Sequence, residues 1–430
     1  DKQLAHLFHT EEETIRRLRE IYDLHPSFLA VDTCAAEFQA LTPYFYSSYE
    51  QGQGEVKIGK KPRIIVLGSG PNRIGQGIEF DYCCVHASLA LQDEGYTSIM
   101  VNCNPETVST DHDISGRLYF EPITLEDVLE ICRIEQPDGV IVQFGGQTPL
   151  KIAAELQENG IRIIGTPPEQ IHAAEDRKQF ARVLKQINAP HPDYDTASHY
   201  TEAREIASTI GYPVLVRPSF VLGGRAMEIV YDEHDLNRYL RESVGEITPD
   251  HPVLIDRYIE DAFEFDVDAV SDGTETVICG LMQHIEEAGV HSGDSACVLP
   301  PFILTDVQRD EMVRITRLLA TELGVIGLMN VQFAFRDGEM YVLEVNPRAS
   351  RTIPFVSKAT GVNWIRVATA CMLGRTLKEQ KVSDQLSSPR YAVKEVVFPF
   401  NRFIGVSAFL GPEMKSTGEV MGIADTFSEA

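Results

Sequence analysis

Between residues 62 and 165 the chain alternates short apolar segments with helix-like segments, and this alternation restricts the fold more than any other feature. RIIVLGSG, TSIMVNCN and GVIVQFGG are rich in Ile and Val, and the segments between them end at Gly95 and Gly160. Continuously apolar strands are typical of parallel sheets covered by helices on both faces. The alternation predicts an α/β fold with a doubly wound parallel sheet, in which Thr124 and Asp127 mark a helix start.

The carboxyl ends of these strands carry glycine and asparagine residues. Ligands of doubly wound sheets bind beyond those ends, and the residues expected to cluster there are Gly68, Gly70, Asn72, Asn104 and the turn Gly145-Gly146-Gln147-Thr148. The segment GSGPNRIG is similar to a dinucleotide fingerprint, but Pro71 interrupts it and the second strand ends in Asn102 rather than in a carboxylate. We therefore predict a Rossmann-like layer that does not bind NAD.

The charge of the chain narrows the range of partners. Its 38 Lys and Arg residues face 64 Asp and Glu residues, which gives a formal net charge of −26. Because binding to nucleic acids and to anionic lipids depends on basic residues, neither nucleic acid nor a membrane surface is an expected partner. The sequence shows no signal peptide, and the eight cysteines have no CxxC or metal-binding spacing. We predict a cytoplasmic chain with reduced, mostly buried thiols.

The first 60 residues are predicted to be mainly helical. Thr10 and Glu13 have the spacing of a capping box, and the following residues place Ile15, Leu18 and Ile21 on one helix face. The aromatic residues of YFYSSY either form a partner surface or pack against the next domain. QGQGEVKIGKKP has the composition of a linker. Since the chain begins without methionine and stops soon after GEVMG, we expect a fragment of a longer polypeptide.

The segment YPVLVRPSFVLGGRAMEIV predicts two strands joined by a glycine loop. Gly223 and Gly224 lie in the loop, with Arg217 before it and Arg225 after it. Glycines allow backbone N–H groups to close over phosphates, while arginines supply positive charge. The alternative is an ordinary glycine turn with surface arginines.

A later strand, FEFDVDAV, carries three carboxylates. Glu264, Asp266 and Asp268 alternate along it and therefore share one face. Carboxylates on a strand face need solvent, cations or hydroxyl groups as partners. One of the three could hold a ribose.

The segment NVQFAFRDGEMYVLEVNPRASRT predicts a hairpin, because Asp-Gly separates two apolar strands. Glu344 and Asn346 are two residues apart and share a face, and Gln332 lies on the partner strand. Such oxygen ligands suit Mg²⁺, which takes few protein ligands and adds substrate phosphates; the alternative is a satisfied polar network. Arg348 and Arg351 offer planar guanidinium groups to a small anion.

Seven strings of this sequence resemble one known family. They are GPNRIGQGIEFDYCCVHAS, NCNPETVSTD, QFGGQTPL, RPSFVLGGRAMEIV, EAGVHSGDSAC, NVQFAF and EVNPRASRTIPFVSKATG. They are similar to the large subunit of carbamoyl phosphate synthetase, and more narrowly to its second, C-terminal synthetase half, an ATP-grasp enzyme. The resemblance covers nearly the whole chain.

The resemblance implies a domain organisation. Residues 1–60 correspond to the helical tail of the domain between the two halves and a linker, and residues 61–176 to a Rossmann-like pre-ATP-grasp domain. Residues 177–400 correspond to a two-lobed α+β ATP-grasp domain whose flap lobe spans about 190–260. Residues 401–430 lead towards a regulatory domain that is absent here.

The resemblance also implies roles for individual residues. The ligands of Mg²⁺ or Mn²⁺ would be Gln332, Glu344 and Asn346. The residues implied to bind ATP are Arg177, Arg217, Gly223, Gly224, Arg257, Ile259, Glu264, Gly289, Val290, His291 and Ser292, together with Gln332 and Glu344. A monovalent cation, usually K⁺ in this family, would engage Glu264, His284, Glu287, Val290 and Ser295. Arg348 and Arg351 would be the catalytic residues that hold the acceptor.

The implied reaction is the phosphorylation of carbamate by MgATP to carbamoyl phosphate, which feeds pyrimidine and arginine biosynthesis. Implied partners are the first synthetase half, the regulatory domain and a glutamine amidotransferase small subunit. Because phosphoryl transfer to an anionic oxygen removes no proton, His284 and His291 are expected to have positional roles.

Three other functions stay open. Bicarbonate, the substrate of the first half, is one alternative acceptor. Another ATP-grasp ligase such as a biotin carboxylase is the second, although Pro-Arg-Ala-Ser-Arg-Thr after Asn346 lacks the acidic and histidine-bearing continuation of a biotin carboxylase. A non-catalytic nucleotide-binding module is the third.

Overall fold

The computed structural model describes residues 1–38, 40–50, 54–73, 77–218, 226–244, 247–248, 252–402 and 407–430. Its internal contacts separate two compact units. The first unit contains residues 1–71 and 81–164, and the second contains residues 72–80 and 165–430. None of the helices in these ranges is both long and apolar enough to cross a bilayer.

The first unit is built on one sheet of six strands. The strands are β1 (Ser27–Ala30), β2 (Tyr44–Ser48), β3 (Arg63–Leu67), β4 (Thr97–Val101), β5 (Arg117–Tyr119) and β6 (Gly139–Ile141). The helices are α1 (Lys2–Phe8), α2 (Glu12–Ile21), α3 (Ile78–Asp93, which begins in the second unit), α4 (Leu125–Glu135), α5 (Gln147–Leu150) and α6 (Ala153–Glu158), with a 3-10 turn at Val108–Thr110.

The strand order β1-β2-β5-β4-β3-β6 confirms the predicted doubly wound sheet. All neighbours from β2 to β6 are parallel, and only β1 at the edge is antiparallel. The apolar strands β3 and β4 are buried on both faces, as the runs of Ile and Val predict. Helix α4 begins after Thr124, whose hydroxyl accepts a hydrogen bond from the Asp127 N–H as expected.

Part of the cluster predicted at the carboxyl ends of the strands is present: it contains Gly68, Gly70, Gly145 and Thr148, with Asn102 in place of Asn72 and Asn104. The Gly70 N–H donates to Asn102 Oδ1 at 3.1 Å. A Cβ on Gly145 would lie 2.4 Å from the Gly68 carbonyl oxygen, so the turns after β3 and β6 approach each other closely enough to require glycine. The turns are packed backbone against backbone at the end of the sheet.

The first 60 residues differ from the prediction. Helix α2 begins at Glu12 and has no side-chain cap, so the capping box proposed for Thr10 is wrong. Ile15 is buried, but Leu18 and Ile21 are 45% and 74% exposed. Residues 27–30 and 44–48 form strands rather than helix or linker.

The aromatic residues near position 45 pack partly into the sheet. Phe45 stacks on Tyr119 with ring centroids 5.5 Å apart, and the registered neighbours of β2 are β1 and β5. Tyr46 and Tyr49 are exposed. The packing interpretation therefore holds for Phe45 within this unit, because alternate residues of a strand point to opposite faces.

The described residues of the second unit form eleven strands in two antiparallel sheets. They are β7 (Tyr194–Ala197), β8 (Val214–Pro218), β9 (Glu228–Val230), β10 (Val253–Arg257), β11 (Phe263–Asp272), β12 (Thr276–His284), β13 (Cys297–Leu299), β14 (Ile326–Arg336), β15 (Glu339–Asn346), β16 (Tyr391–Val397) and β17 (Gly418–Ala424). The helices are α7 (Pro168–Glu175), α8 (Arg177–Gln186), α9 (Tyr200–Ile210), α10 (Glu233–Tyr239), α11 (Asp306–Glu322), α12 (Ile353–Thr360), α13 (Trp364–Met372) and α14 (Leu377–Gln380), with a π-helical turn at Leu240–Val244.

The smaller sheet has the order β7-β10-β8-β9. Strands β8 and β9 pair antiparallel, which confirms the two strands predicted around the glycine loop. The loop glycines Gly223 and Gly224, with Arg225, lie outside the described residues. The core of this lobe is formed by small and branched side chains of the sheet and of α9 and α10.

The larger sheet has the order β15-β14-β11-β12-β13-β16-β17. Alternate residues such as Phe265, Val267 and Val331 point to one face and form a core with α8 and α11. The intervening residues of β11, among them Asp266 and Asp268, point to the opposite face. One face of this sheet is therefore an apolar core, and the other carries the polar residues singled out in the sequence.

The hairpin of β14 and β15 turns at Asp337 and Gly338 as predicted, with φ values of 51° and 89°. Positive φ at both positions is what a two-residue turn of this kind requires. Gln332 pairs with Glu344, but Phe333 pairs with Val342, so Leu343 is an extra residue in a β-bulge. The extra residue allows Glu344 to lie beside Gln332 while Val342 still points into the apolar core.

Candidate functional site

The three predicted metal ligands lie together. Gln332 and Glu344 are cross-strand partners, and Asn346 donates from Nδ2 to Glu344 Oε1 at 2.8 Å. All three are partly accessible to solvent. The hairpin thus presents one carboxylate and two amide groups at one edge of the larger sheet.

The donor set fits the hard cations Mg²⁺ or Mn²⁺ better than a softer metal ion that is held by histidine or cysteine. Within the described ranges no group of three or more His, Cys, Asp or Glu side chains has metal-binding geometry. Oxygen donors with one carboxylate leave coordination positions for substrate phosphates, which is how Mg²⁺ is usually held. The site suits a metal that arrives with a nucleotide.

Arg348 follows the third donor on the loop after β15. Its Nη2 donates to Asn346 Oδ1 at 3.1 Å and its Nη1 to the Ala349 carbonyl at 3.0 Å. The guanidinium carbon lies 5.8 Å from the centre of the Phe80 ring. Its Nε is buried, and among the described residues no acceptor reaches it. A buried N–H of this kind is expected to have a partner, and an anion bound here would supply one.

Arg351 lies three residues further along the same loop. Its Nε is 3.5 Å from Glu79, and its Nη1 contacts the Met414 sulfur. Burial lowers the pKa of both Arg348 and Arg351, since the charged form loses its hydration. The loop thus places two half-buried guanidinium groups close together, the type of donor that a small anion requires.

A second pair of arginines lies between α8 and the smaller sheet. Arg177 donates to the carbonyl of Leu343 at 3.0 Å, the residue left unpaired by the β-bulge. Its Nη2 also lies 2.9 Å from Asp256, and Arg217 Nε is 3.7 Å from the same carboxylate. The Nε groups of both arginines are buried, and in the described part of the chain neither has a hydrogen-bond acceptor. Asp256 therefore forms ion pairs with two arginines that retain N–H donors suited to an anion.

Glu344 links the two arginine pairs electrostatically. Burial is the largest effect on Arg217, Arg348 and Arg351 and lowers the pKa of each guanidinium. The negative charge of Glu344 opposes that effect at all three residues. The carboxylate predicted to bind metal therefore lies among the arginines predicted to bind phosphate and acceptor.

The predicted ribose and cation residues form a second group on β11 and β12. His284 Nε2 lies 2.7 Å from Asp266 Oδ2, and its Nδ1 lies 3.4 Å from Glu264. Burial alone would lower the pKa of His284, but its hydrogen-bonded and charged neighbours raise it well above its usual value. The hydrogen bond from His284 likewise lowers the pKa of Asp266 against the effect of burial. Their mutual contact thus favours the charged form of each partner, against the effect of burial.

The loop after β12 approaches Glu264 from the other side. The Gly289 N–H donates to Glu264 Oε1 at 3.2 Å. A Cβ on Gly289 would lie 2.6 Å from the Tyr258 hydroxyl, so only glycine fits beside the segment that carries Arg257 and Ile259. Arg257 is exposed and Ile259 partly buried at the end of β10.

The remaining loop residues have distinct environments. Burial lowers the pKa of His291 well below its usual value, and Arg351 adds to that effect, so the ring is neutral. Its Nδ1 accepts from the Gly293 N–H at 2.9 Å. The Ser292 carbonyl accepts from Lys394 Nζ at 3.4 Å. Val290, which directly precedes His291, is partly exposed.

The predicted cation residues are only partly brought together. The Ser295 hydroxyl donates to Glu286 Oε2 at 2.7 Å, and the Ala296 N–H donates to the same atom at 2.6 Å. Glu287, which was predicted as a ligand, is exposed. Of the two adjacent glutamates, Glu286 is the one that turns towards Ser295.

Sequence reasoning missed Asp256 and Glu286. Asp256 belongs to β10, and the only signal in the sequence is an acidic residue in the otherwise apolar strand VLID. Glu286 and Glu287 are adjacent, so no sequence pattern separates the side chain that faces inward from the one that faces solvent. Both assignments require the packed loop.

The antiparallel smaller lobe, the larger sheet and the arginines around Glu344 together define an ATP-grasp protein. Family models agree with this class. Residues 60–173 match the carbamoyl phosphate synthase preATP-grasp domain, and residues 176–380 match the ATP binding domain of the carbamoyl-phosphate synthase L chain. The chain belongs to the carbamoyl phosphate synthase large-chain family.

Curated relatives match along the whole chain. A carbamoyl phosphate synthase large chain of Archaeoglobus fulgidus is 59% identical over 430 residues, and one of Vibrio cholerae is 57% identical over 430 residues. In both cases the alignment covers 100% of this chain but 40% of the relative. The chain thus spans less than half the length of the proteins it matches.

Solved structures support the fold. The biotin carboxylase domain of Hydrogenobacter thermophilus 2-oxoglutarate carboxylase, in complex with MgADP, ADP and bicarbonate, has a TM-score of 0.66 at 17% identity, covering 85% of this chain and 87% of that chain. The ADP complex of an N5-carboxyaminoimidazole ribonucleotide synthetase has a TM-score of 0.63 at 14% identity, covering 87% and 95%. At such identities the likeness concerns the fold alone.

Proposed function

We propose that this chain is the second synthetase unit of a carbamoyl phosphate synthase and phosphorylates carbamate with MgATP. One observation carries the proposal: Glu344, with Gln332 and Asn346 beside it, lies near half-buried arginines. Two of these, Arg217 and Arg348, have an Nε that no acceptor among the described residues reaches. Oxygen ligands beside unsatisfied guanidinium donors suit a metal nucleotide and a second, small anion.

The proposed reaction requires the protein mainly to position the reactants and to offset their negative charge. A carbamate oxygen attacks the γ-phosphorus, the bond to the bridging β–γ oxygen breaks, and ADP leaves. No proton has to be removed from the acceptor, which agrees with a neutral His291 and with a His284 already paired to Asp266. Arg348 and Arg351 would hold the acceptor in line for the attack.

The nucleotide is assigned to residues on both lobes. Arg177 and Arg217 would bind its phosphates, Glu264 its ribose, and Arg257, Ile259 and the loop 289–292 its base. Gly223 and Gly224 would close over the phosphates and exclude water. Mg²⁺ or Mn²⁺, held by Gln332, Glu344 and Asn346, would offset charge on the transferred phosphoryl group.

A monovalent cation, K⁺ in the family, is assigned to the loop between β12 and β13. The proposed ligands are Glu264, His284, Glu287, Val290 and Ser295. Since Glu286 rather than Glu287 contacts Ser295, we add Glu286 to this set. The first synthetase half, the regulatory domain and the glutamine amidotransferase small subunit are the proposed partners.

The reverse reaction tests the proposal without the rest of the enzyme. The chain is incubated with ADP, MgCl₂, KCl and carbamoyl phosphate, and ATP is measured by luciferase. ATP formation that requires carbamoyl phosphate supports the assignment. Tight ADP binding without ATP formation would favour a nucleotide-binding module instead.

Bicarbonate is the second candidate acceptor, because a solved neighbour of the same fold was crystallised with bicarbonate. Its test is an ATP hydrolysis assay with and without bicarbonate. Hydrolysis stimulated by bicarbonate, without any ATP formation from carbamoyl phosphate, would replace carbamate by bicarbonate in the proposal.

Asp256 provides a first prediction within this function. Asp256→Asn should raise the KM for ADP about tenfold in the reverse assay, because an amide cannot compensate two guanidinium charges. Asp195→Asn is the matched control, since Asp195 lies across from Ile255 on β7 but is exposed. Equal KM values for ADP in the two variants would contradict the role of Asp256.

A further inference from the structure

Asp268 lies on the polar face of the larger sheet and accepts three hydrogen bonds from side chains. The donors are the Thr352 hydroxyl at 2.6 Å, the Ser350 hydroxyl at 2.7 Å and Asn330 Nδ2 at 3.0 Å. Asp268 is 1% exposed, and all three donors are buried. A carboxylate so deeply buried is tolerated only when such donors satisfy it.

Two of the three donors belong to the loop that carries the acceptor arginines. Ser350 lies between Arg348 and Arg351, and Thr352 follows directly. The Ser350 hydroxyl also lies 3.0 Å from the Thr352 hydroxyl and accepts from the Ile353 N–H at 3.1 Å. The loop is therefore fastened to the sheet on both sides of Arg351, at the point where α12 begins.

The network continues towards the nucleotide end of the site. Asn330 Nδ2 donates to Asp266 as well, at 3.2 Å, and Asp266 holds His284, which faces Glu264. Burial raises the pKa of Asp268 to about 6, although its hydroxyl donors counter the effect. The arginine loop is thus connected to the residues proposed to bind ribose and cation through five buried side chains: Ser350, Thr352, Asp268, Asn330 and Asp266.

We propose that Asp268 is the positioning residue of the acceptor site, which fixes Arg348 and Arg351 by holding the hydroxyls of Ser350 and Thr352. The inference rests on the proposed function, because it assigns these arginines to the acceptor. Asp268 touches neither acceptor nor nucleotide in this scheme. It acts through the loop, and its loss should affect the acceptor more than ADP.

Thr352→Val is the most discriminating variant, because it keeps the shape of a buried side chain and removes one hydroxyl. Its matched control is Thr316→Val in α11, where the hydroxyl is equally buried but donates within its own helix, to the Met312 carbonyl at 2.8 Å. A general loss of stability would affect both variants alike. Loss of the Asp268 contact would affect only the first.

The first measurement is the reverse assay, with carbamoyl phosphate and ADP varied separately. Thr352→Val should raise the KM for carbamoyl phosphate about tenfold, as expected for a lost hydrogen bond to a buried charge, and leave the KM for ADP within twofold. Asp268→Asn should show the same asymmetry. Equal effects on both KM values, or an effect as large in Thr316→Val, would overturn the proposal.

The second measurement is amide hydrogen exchange of the peptide spanning residues 347–353, which needs no turnover. Exchange there should be at least tenfold faster in Thr352→Val than in wild type and unchanged in Thr316→Val. Unchanged exchange would overturn the proposal. If the wild-type chain makes no ATP from carbamoyl phosphate, the proposed function fails, and hydrogen exchange alone still decides whether Asp268 holds the loop.

Discussion

Glu344→Ala is expected to lower the rate of ATP formation from ADP and carbamoyl phosphate by on the order of a thousandfold. The side chain has two tasks that no neighbour can replace. Among the described residues it is the carboxylate that contacts Asn346 and pairs with Gln332, and its negative charge acts on three half-buried arginines. Its removal would delete a proposed metal ligand and a negative charge that offsets the three arginines.

The control for this prediction lies on the same strand. Glu339→Ala removes a glutamate from the exposed end of β15, where it accepts from the Tyr341 hydroxyl. We expect this variant to keep nearly the wild-type rate. Mn²⁺ binding in the presence of ADP, followed by electron paramagnetic resonance, should weaken at least tenfold in Glu344→Ala only. A wild-type rate in Glu344→Ala would remove the hairpin from the proposed site.

The second large effect is expected for Arg351→Ala. We expect the KM for carbamoyl phosphate to rise about a hundredfold, while the KM for ADP stays within threefold. Arg351→Lys should recover little of the loss, because an ammonium group cannot reproduce a planar guanidinium contact to a carboxylate-like anion. Separate titrations of the two substrates measure the split.

Arg314→Ala is the corresponding control, since Arg314 forms an exposed ion pair with Glu311 on α11. Exposed pairs of this type contribute about 0–1 kcal/mol, so both KM values should stay unchanged. The assignment of Arg351 to the acceptor fails if its replacement raises the KM for ADP as much as that for carbamoyl phosphate.

The hairpin is the part of the site that the sequence predicts well. Asp337 and Gly338 select the turn, and residues two apart on a strand share a face, so the sequence alone predicts that Glu344 and Asn346 lie side by side. The sequence pattern does not reveal the bulge at Leu343, because one extra residue cannot be recognised in a strand of Val, Leu and Tyr. The hydrogen bond from Arg177 to the Leu343 carbonyl could therefore not be predicted from the sequence.

Contacts between distant segments limit prediction in general. Asp256 on β10 meets Arg177 at the start of α8 although the two residues are distant in the chain, and Asp268 meets Thr352 across 84 positions. The strands at residues 27–48 were missed for a related reason: their short, mixed sequences form strands by joining a sheet built from later residues. Local periodicity identifies long apolar elements, but it does not identify short edge strands such as β1 and β2.

The β-bulge at Leu343 also determines which insertions and deletions the hairpin can accept. On the turn side of the bulge, adding one residue to each strand would lengthen the arm and leave Glu344 opposite Gln332. Deleting Leu343 would make the strand regular and change the pairing. Either Val342 would then leave the core, or Glu344 would enter it. Leu343 is therefore the residue that lets one strand supply both a core side chain, Val342, and a site side chain, Glu344.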